Sequence, residues 1–221
     1  MVDHIKYYPD LAEDWVMAQS YVLKNKFYAK DRVKDSLSKY ELENKLWILN
    51  ELKKLNILFQ NVAVIGGWYC HHLCSILFDE LKVDLIYNYD IDKDSKYIGN
   101  QFNKRYKTKY ISCTKDLFME NFQQNQIDYS DIDLVISPYA EHMYDMRKIY
   151  HKKYFRTTET DTIFCVQSTN YNKQHEDTIN DHINTVDNEN ELCNQIRLKQ
   201  VLYKGSKIYR DNTKMFMVIG K

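Results

Sequence analysis

The sequence predicts an α/β fold: a doubly wound, mostly parallel sheet with helices on both faces. Three observations carry that expectation. From residue 61 onward, short continuously apolar runs alternate with stretches of helical periodicity. The first of those runs ends on a glycine pair, Gly66 and Gly67, in a chain with only 5 glycines. Two apolar runs near the C-terminus lie close enough in sequence to pair as a hairpin. Strands buried on both faces read as unbroken apolar runs, and parallel neighbours need helical crossovers between them.

The elements follow in order. Residues 11–60 read as helices, beginning with Leu11, Trp15, Val16, Ala18, Tyr21, Val22 and Phe27 at helical intervals. Ser38 and Glu41 then form the pattern of a capping box, in which each side chain satisfies a free amide of the first turn. Behind it Leu42, Leu46, Ile48, Leu49, Leu52 and Leu55 recur with a period near that of a helix. Residues 61–65 (NVAVI) are the first expected strand, and 68–81 the crossover helix. Expected strands follow at 83–89, 110–113, 132–136 and 162–166, with a helix at 95–102. The terminal hairpin joins 200–203 to 215–219 through a short turn containing Gly205. This divides the chain into an N-terminal helical extension or cap, 1–60, and a sheet domain, 61–221.

Composition excludes several classes. Hydrophobic residues make up 44% of the 221, enough for a core and too many for a disordered chain. Lys+Arg and Asp+Glu are both 31, so no global positive field would draw the chain onto long duplex DNA. The 5 cysteines show no CxxC pair, which points to a reduced, cytoplasmic protein with no metal centre. No apolar run approaches the roughly 20 residues of a membrane span, and the first ten residues lack the apolar core of a signal peptide.

A doubly wound sheet binds ligands beyond the carboxyl ends of its strands, so function is sought there. Gly66 and Gly67 allow a sharp turn and close approach of backbone to a ligand, although the full GxGxxG fingerprint is absent. Asp90 ends the second strand 24 residues beyond Gly66. A carboxylate about 20 residues past a glycine turn can accept bonds from ribose hydroxyls, or can be a solvated loop acid. Asp92 reads as a helix N-cap. Asp116, in the segment TKDL that includes Leu117, either accepts a bond from an adenine amino group or caps the following turn. Beyond the fourth strand, Ser137, Pro138, Tyr139, Glu141 and His142 gather stacking and acid–base groups, although a loop Glu–His pair can also be a surface ion pair. Gln167 and Asn170 follow the fifth strand, and His182 lies in the next loop.

In this order, VAVIGGWYC, NYDID, TKD, DLVISPYAEHM, QSTNY and DHIN resemble class I S-adenosylmethionine-dependent methyltransferases. More narrowly they resemble a poorly characterised group found mainly in phages and other viruses, which places the protein in the host cytoplasm. The resemblance spans residues 60–221 and implies a Rossmann-like, seven-stranded sheet whose last strand is antiparallel to its neighbours. It implies S-adenosylmethionine contacts at Gly66, Gly67 and Trp68, the ribose on Asp90 and adenine near Asp116, with Ile91, Leu117 and Ser137 as further cofactor-binding residues. Two departures are Cys70, where a third small residue is usual, and the run from Ser137 to Ala140, where the group has a different polar run. The fragment Ser137-Pro138-Tyr139 resembles the Asp/Asn-Pro-Pro-Tyr motif of amino-group methyltransferases with one proline missing.

On this reading Glu141 and His142 orient the methyl acceptor or act as base, and Tyr139 packs against it. Gln167, Asn170 and His182 line the acceptor side. The acceptor is a small molecule or a local group on nucleic acid or protein. Residues 147–156 interleave bases with aromatics, as a nucleic-acid contact or as the solvated face of a helix. Two rival functions stay open. The NYDID run resembles nicotianamine synthases, which move an aminocarboxypropyl group, and the chain could also be a catalytically silent cofactor-binding module.

Overall fold

The computed structural model describes residues 9–115, 131–143, 146, 162–170, 185–209 and 213–221. Within these, α1 (Ala12–Asn25), α2 (Lys30–Ser36) and α3 (Lys39–Lys54) precede β1 (Asn61–Ile65). Then come α4 (His71–Glu80), β2 (Leu85–Asp90), α5 (Lys93–Phe102), β3 (Tyr110–Thr114), β4 (Leu134–Ser137) and β5 (Ile163–Thr169). Helix α6 (Glu189–Gln195), β6 (Val201–Ile208) and β7 (Lys214–Gly220) complete the chain. The strands form one seven-stranded sheet in the order β3-β2-β1-β4-β5-β7-β6. The pairs among β1 to β5 are all parallel, and β7 runs antiparallel to both β5 and β6. The doubly wound sheet with its antiparallel end is therefore as the sequence implies.

Alternation along the strands sends side chains to two cores. Val62, Val64, Ile86, Leu134, Ile136, Cys165, Met217 and Ile219 pack on one face against Ile48 and Leu52 of α3 and Leu73, Cys74 and Leu77 of α4. Ala63, Ile65, Val135, Phe164, Val166, Phe216 and Val218 pack on the other against Leu192 and Ile196 at α6. A third cluster joins Leu11, Trp15, Ala18, Val22, Ala29 and Val33 of the N-terminal helices to Leu42 and Leu49 of α3, Ile76 of α4 and Ile98 and Phe102 of α5. The edges of the Trp15 ring meet His71 and His72 at centroid distances of 5.3 and 5.1 Å. The described N-terminal residues, from Leu11 to Phe59, thus pack continuously onto the helices and core of the sheet domain.

Four sequence expectations change. The buried stripe of α1 is narrower than expected, because Val16 and Tyr21 are exposed, as is Phe27 just beyond the helix. Only half of the capping box forms: Ser38 Oγ accepts from the Glu41 amide at 3.4 Å, but the Ser38 amide donates to the Asp35 carbonyl and the Glu41 carboxylate turns inward. The hairpin turn is not at Gly205, which lies inside β6 opposite Met217. A Cβ there would lie 2.3 Å from the Tyr203 hydroxyl, which instead accepts a bond from Trp47 Nε1 at 3.2 Å. Lacking a side chain, Gly205 lets that ring lie across the strand, and the chain reverses only after Tyr209, whose amide donates to Thr213. Finally, the structure adds α6, which lies outside the expected elements. It is short, and its start is fixed by Asn188, whose Oδ1 accepts from the amides of Asn190 and Glu191 at 3.0 and 3.1 Å.

Candidate active site at the strand-end rim

The sheet order reverses at β1, which lies between β2 and β4, so the segments leaving β1 and β4 diverge and open a crevice at their carboxyl ends. Residues 66–70, 90–92 and 137–143 all emerge on this rim.

The glycine turn is set by close packing. Gly66 has φ +64°, and its amide donates to the Tyr89 carbonyl at 2.8 Å. A Cβ on Gly67 would lie 2.1 Å from Asn88 Oδ1 and 2.5 Å from Val64 Cγ1. Asn88 cannot yield, since its Nδ2 holds the Trp68 carbonyl at 2.9 Å and the Tyr110 hydroxyl at 3.1 Å. Trp68 and Cys70 adopt φ +51° and +54°, a left-handed conformation that costs side-chain-bearing residues energy and recurs where backbone must serve a ligand. Helix α4 therefore begins at His71, later than the sequence predicts, and Cys70 makes no side-chain cap.

Asp90 ties this turn to β2. Its Oδ2 accepts from the Trp68 amide at 2.8 Å and its Oδ1 from the Asp92 amide at 2.9 Å. Burial nevertheless pushes its carboxyl above the usual range, against the lowering effect of those amide bonds. Ile91 beside it is exposed. Asp92 is the N-cap of α5, accepting from the Asp94 amide, as the sequence predicts. The N-terminal helices reach this corner through Arg32 paired with Asp92, and through Lys26 paired with Asp94 at 2.5 Å. Arg32 also lies 5.8 Å from the Trp68 ring centroid.

On the β4 side, Ser137 is fully buried and donates from Oγ to Met143 Sδ at 3.2 Å. That thioether lies 2.9 Å from where a Gly66 Cβ would sit, so the loop after β4 meets the bare backbone of the glycine turn. Between Ser137 and Met143 the chain makes a single 3-10 turn, Ala140–His142, which buries Glu141 and leaves His142 exposed. Glu141 Oε1 accepts from the Thr169 hydroxyl at 3.3 Å, while Oε2 is buried with no hydrogen-bond partner among the described residues. Burial pushes this carboxyl up to about 7. His142 stands one residue on, its ring centroid 6.5 Å from that of Tyr139.

Helix α3 supplies residues that the sequence gives no part in the site, Glu41 being expected only to cap the helix. Glu41 and Lys45 are buried one turn apart, 3.3 Å between charged atoms, and the Tyr139 hydroxyl bridges them through short bonds to both. Tyr209 donates a further bond to Glu41 Oε1 at 2.8 Å. Lys45, Tyr139 and Tyr209 hold the Glu41 carboxyl below its ordinary range despite its burial. Burial outweighs Glu41 at Lys45 and lowers the amine. The signal was present in the sequence: Glu41 and Lys45 continue the face that Ile48 and Leu52 bury, so two charges sit on an apolar stripe.

The remaining candidates separate clearly. Gln167 is buried and makes a reciprocal amide pair with Asn44 of α3, at 3.0 and 2.9 Å. Its side chain is spent on that helix, not presented to the crevice. Asn44→Leu or Gln167→Leu alone should cost about 1 to 3 kcal/mol by stranding the partner amide, and the double substitution should restore most of it in thermal melts. Asn170 pins the start of β7, its Oδ1 accepting from the Lys214 amide at 2.8 Å. Asp116, Leu117, His182 and the 147–156 stretch lie outside the described residues.

No protein-family model matches the chain, and no curated protein matches it. Solved structures do. TrmK of M. capricolum, in complex with S-adenosyl-homocysteine, is 15% identical over 78% of this chain and 67% of that one, with a TM-score of 0.51. A candidate sarcosine dimethylglycine methyltransferase from Galdieria sulphuraria is 9% identical over 85% and 86%, with a TM-score of 0.62. MtNAS, in complex with MTA and tNA, is 13% identical over 98% and 74%, with a TM-score of 0.53. At such identities the likeness is one of fold, and the fold is Rossmann-like, of the methyltransferase type.

Proposed function

We propose that the chain is a class I S-adenosylmethionine-dependent methyltransferase, with the cofactor on the β1–β2 side of the rim and the acceptor beside Glu141. The observation that carries this is the meeting of three parts on one crevice of a methyltransferase-type sheet. These are the double-glycine turn, the carboxylate pinned at the end of β2, and the buried carboxyl of Glu141 with one oxygen unpartnered.

The residues present fit this cofactor. Each oxygen of Asp90 accepts one backbone amide and keeps a further lone pair for a ribose hydroxyl. Ile91 offers exposed apolar surface next to it, and the side chain nearest the bare face of Gly66 is Met143, whose thioether is flexible. Gly66, Gly67, Trp68 and Ser137 would hold the amino-acid end, and Asp90 and Ile91 the ribose. Asp116 and Leu117, outside the described residues, would contact the adenine. The cofactor supplies an electrophilic methyl group on a sulfonium. The protein's share is alignment, exclusion of water and the handling of a proton. Glu141 handles that proton, Tyr139 fixes the wall through Glu41 and Lys45, and His142 stands at the mouth. Gln167 and Asn170 shape the acceptor side indirectly, through Asn44 and the start of β7, and His182 remains a candidate for direct contact.

The motif order supports a place in the virus-associated group and work in the host cytoplasm. Zero net charge favours a small or locally presented acceptor over long duplex DNA. Asp90→Ala should weaken S-adenosylmethionine at least about tenfold by calorimetry, because it removes the ribose acceptor and strands the Trp68 and Asp92 amides. Unchanged affinity in that variant rules out the ribose role.

Aminocarboxypropyl transfer is the second reading, favoured by one observation. The likeness to MtNAS extends over 98% of this chain, N-terminal helices included, against 78% for TrmK. Product analysis separates the two, since methyl transfer leaves S-adenosylhomocysteine and aminocarboxypropyl transfer leaves methylthioadenosine. A protein that binds the cofactor yet forms neither product would be a silent binding module.

A further inference from the structure

We infer that the acceptor seated at Glu141 is an amine, bound as its ammonium ion and freed for attack by giving a proton to the Glu141 carboxylate. This deepens the reading above and rests on it.

The geometry comes first. Glu141 Oε2 is buried at the end of β4 without a partner among the described residues, while Thr169 of β5 occupies Oε1. The charged groups facing it from α3 are Glu41 and Lys45, 3.3 Å apart, which offset each other. Tyr139 on its own loop is committed to Glu41 and Lys45, and Tyr209 beyond β6 donates to Glu41. His142, its neighbour in the turn, is exposed. Oε2 thus lacks a donor among the described residues, and the Lys45 charge that faces the carboxyl is shared with Glu41; an ammonium ion supplies a donor and a charge of its own together.

Burial also adjusts the proton balance. Burial pushes the Glu141 carboxyl up to about 7 and lowers the Lys45 amine in the same surroundings. Burial acts on an amine beside Glu141 in the same sense: carboxyl and ammonium are brought towards each other, and proton transfer between them becomes easier. An alcohol stays far too weak an acid for such a base. The step then balances. One N–H proton passes to Glu141 Oε2, the nitrogen lone pair forms the new N–C bond, and the C–S bond breaks with its electron pair on sulfur. The positive charge moves from sulfur to nitrogen, giving an N-methylammonium and a neutral thioether, and the proton leaves Glu141 for solvent.

The test uses the whole protein with S-adenosylhomocysteine bound, near about pH 6, where Glu141 is mostly protonated. Infrared difference spectra against Glu141→Gln identify the protonated-carboxyl band of Glu141. Ethylammonium chloride should abolish that band and ethanol should leave it. A band that ignores ethylammonium, or responds equally to ethanol, overturns the inference. Because Glu141→Gln could fold poorly, a second measurement needs only the unaltered chain. With methyl-labelled S-adenosylmethionine and a deproteinised cell extract, the labelled products should bind a cation exchanger at neutral pH and be released when made alkaline. Label in neutral products, or none despite bound cofactor, overturns the amine and leaves the methyltransferase site standing. Failure of the cofactor itself to bind overturns both.

Discussion

Glu141→Gln should lower methyl transfer at least about a hundredfold while leaving S-adenosylmethionine affinity within about threefold. Glutamine matches the carboxyl in shape and can still accept from Thr169, but it cannot take up a proton. In the unaltered protein the rate should climb about tenfold per pH unit below about 7 and then level, as Glu141 becomes the carboxylate. Stability should move the other way. The folded-state value of about 7 lies above the ordinary 4.5, so the folded protein holds this proton more tightly than the unfolded chain. The associated stabilisation is complete below about pH 4.5 and is lost as pH rises through about 7. Between about pH 5 and about pH 8 that amounts to roughly 2 to 3 kcal/mol. Chemical denaturation should show this loss in the unaltered chain and not in Glu141→Gln, which should be the more stable of the two at the higher pH. An active Glu141→Gln, or equal pH dependence of stability in both proteins, contradicts the role given to this carboxyl.

Gly67→Ala should be the most damaging single methyl that can be added to the rim. Its Cβ would sit 2.1 Å from Asn88 Oδ1 and 2.5 Å from Val64 Cγ1. Neither can retreat cheaply, because Val64 is in the sheet core and Asn88 holds both the Trp68 carbonyl and the Tyr110 hydroxyl. Overpacking of this kind costs about 3 kcal/mol or more, and here it also releases the turn that Asp90 fixes. Gly66→Ala is the informative contrast. It meets only the flexible Met143 thioether, at 2.9 Å, and a left-handed φ costing about 1 to 2 kcal/mol. Thermal melts should therefore rank Gly67→Ala well below Gly66→Ala, with both variants weakening the cofactor. Equal melting temperatures contradict the packing described for this turn.

What the sequence made legible follows from range. Strands β1 and β4 announce themselves because a strand buried on both faces reads as a nearly unbroken apolar run, a local property, whereas β3 at the sheet edge exposes Ile111. The glycine turn and Asp90 were readable because their spacing is fixed by one strand–helix–strand unit. Glu141 was readable as a chemical group beyond β4, but its missing partner and its shifted proton affinity arise from burial by distant segments. Glu41, Asn44 and Lys45 illustrate the limit most clearly. Their partners Tyr139, Tyr209 and Gln167 are about a hundred or more residues away, so the sequence showed two charges on an apolar stripe and not what they met. Gln167 shows the same limit, since its position at a strand end points to ligand binding and only the tertiary contact with Asn44 shows the amide engaged. Gly205 looked like a turn because glycine usually serves turns, whereas here it makes room for a ring two residues away.

The most direct test of the cofactor site is isothermal titration calorimetry of the unaltered protein with S-adenosylmethionine, S-adenosylhomocysteine and NAD in parallel. Saturable binding of both sulfur nucleosides, weakened in Asp90→Ala and without comparable binding of NAD, is the expected result. Binding of NAD alone, or of none of the three, would contradict it.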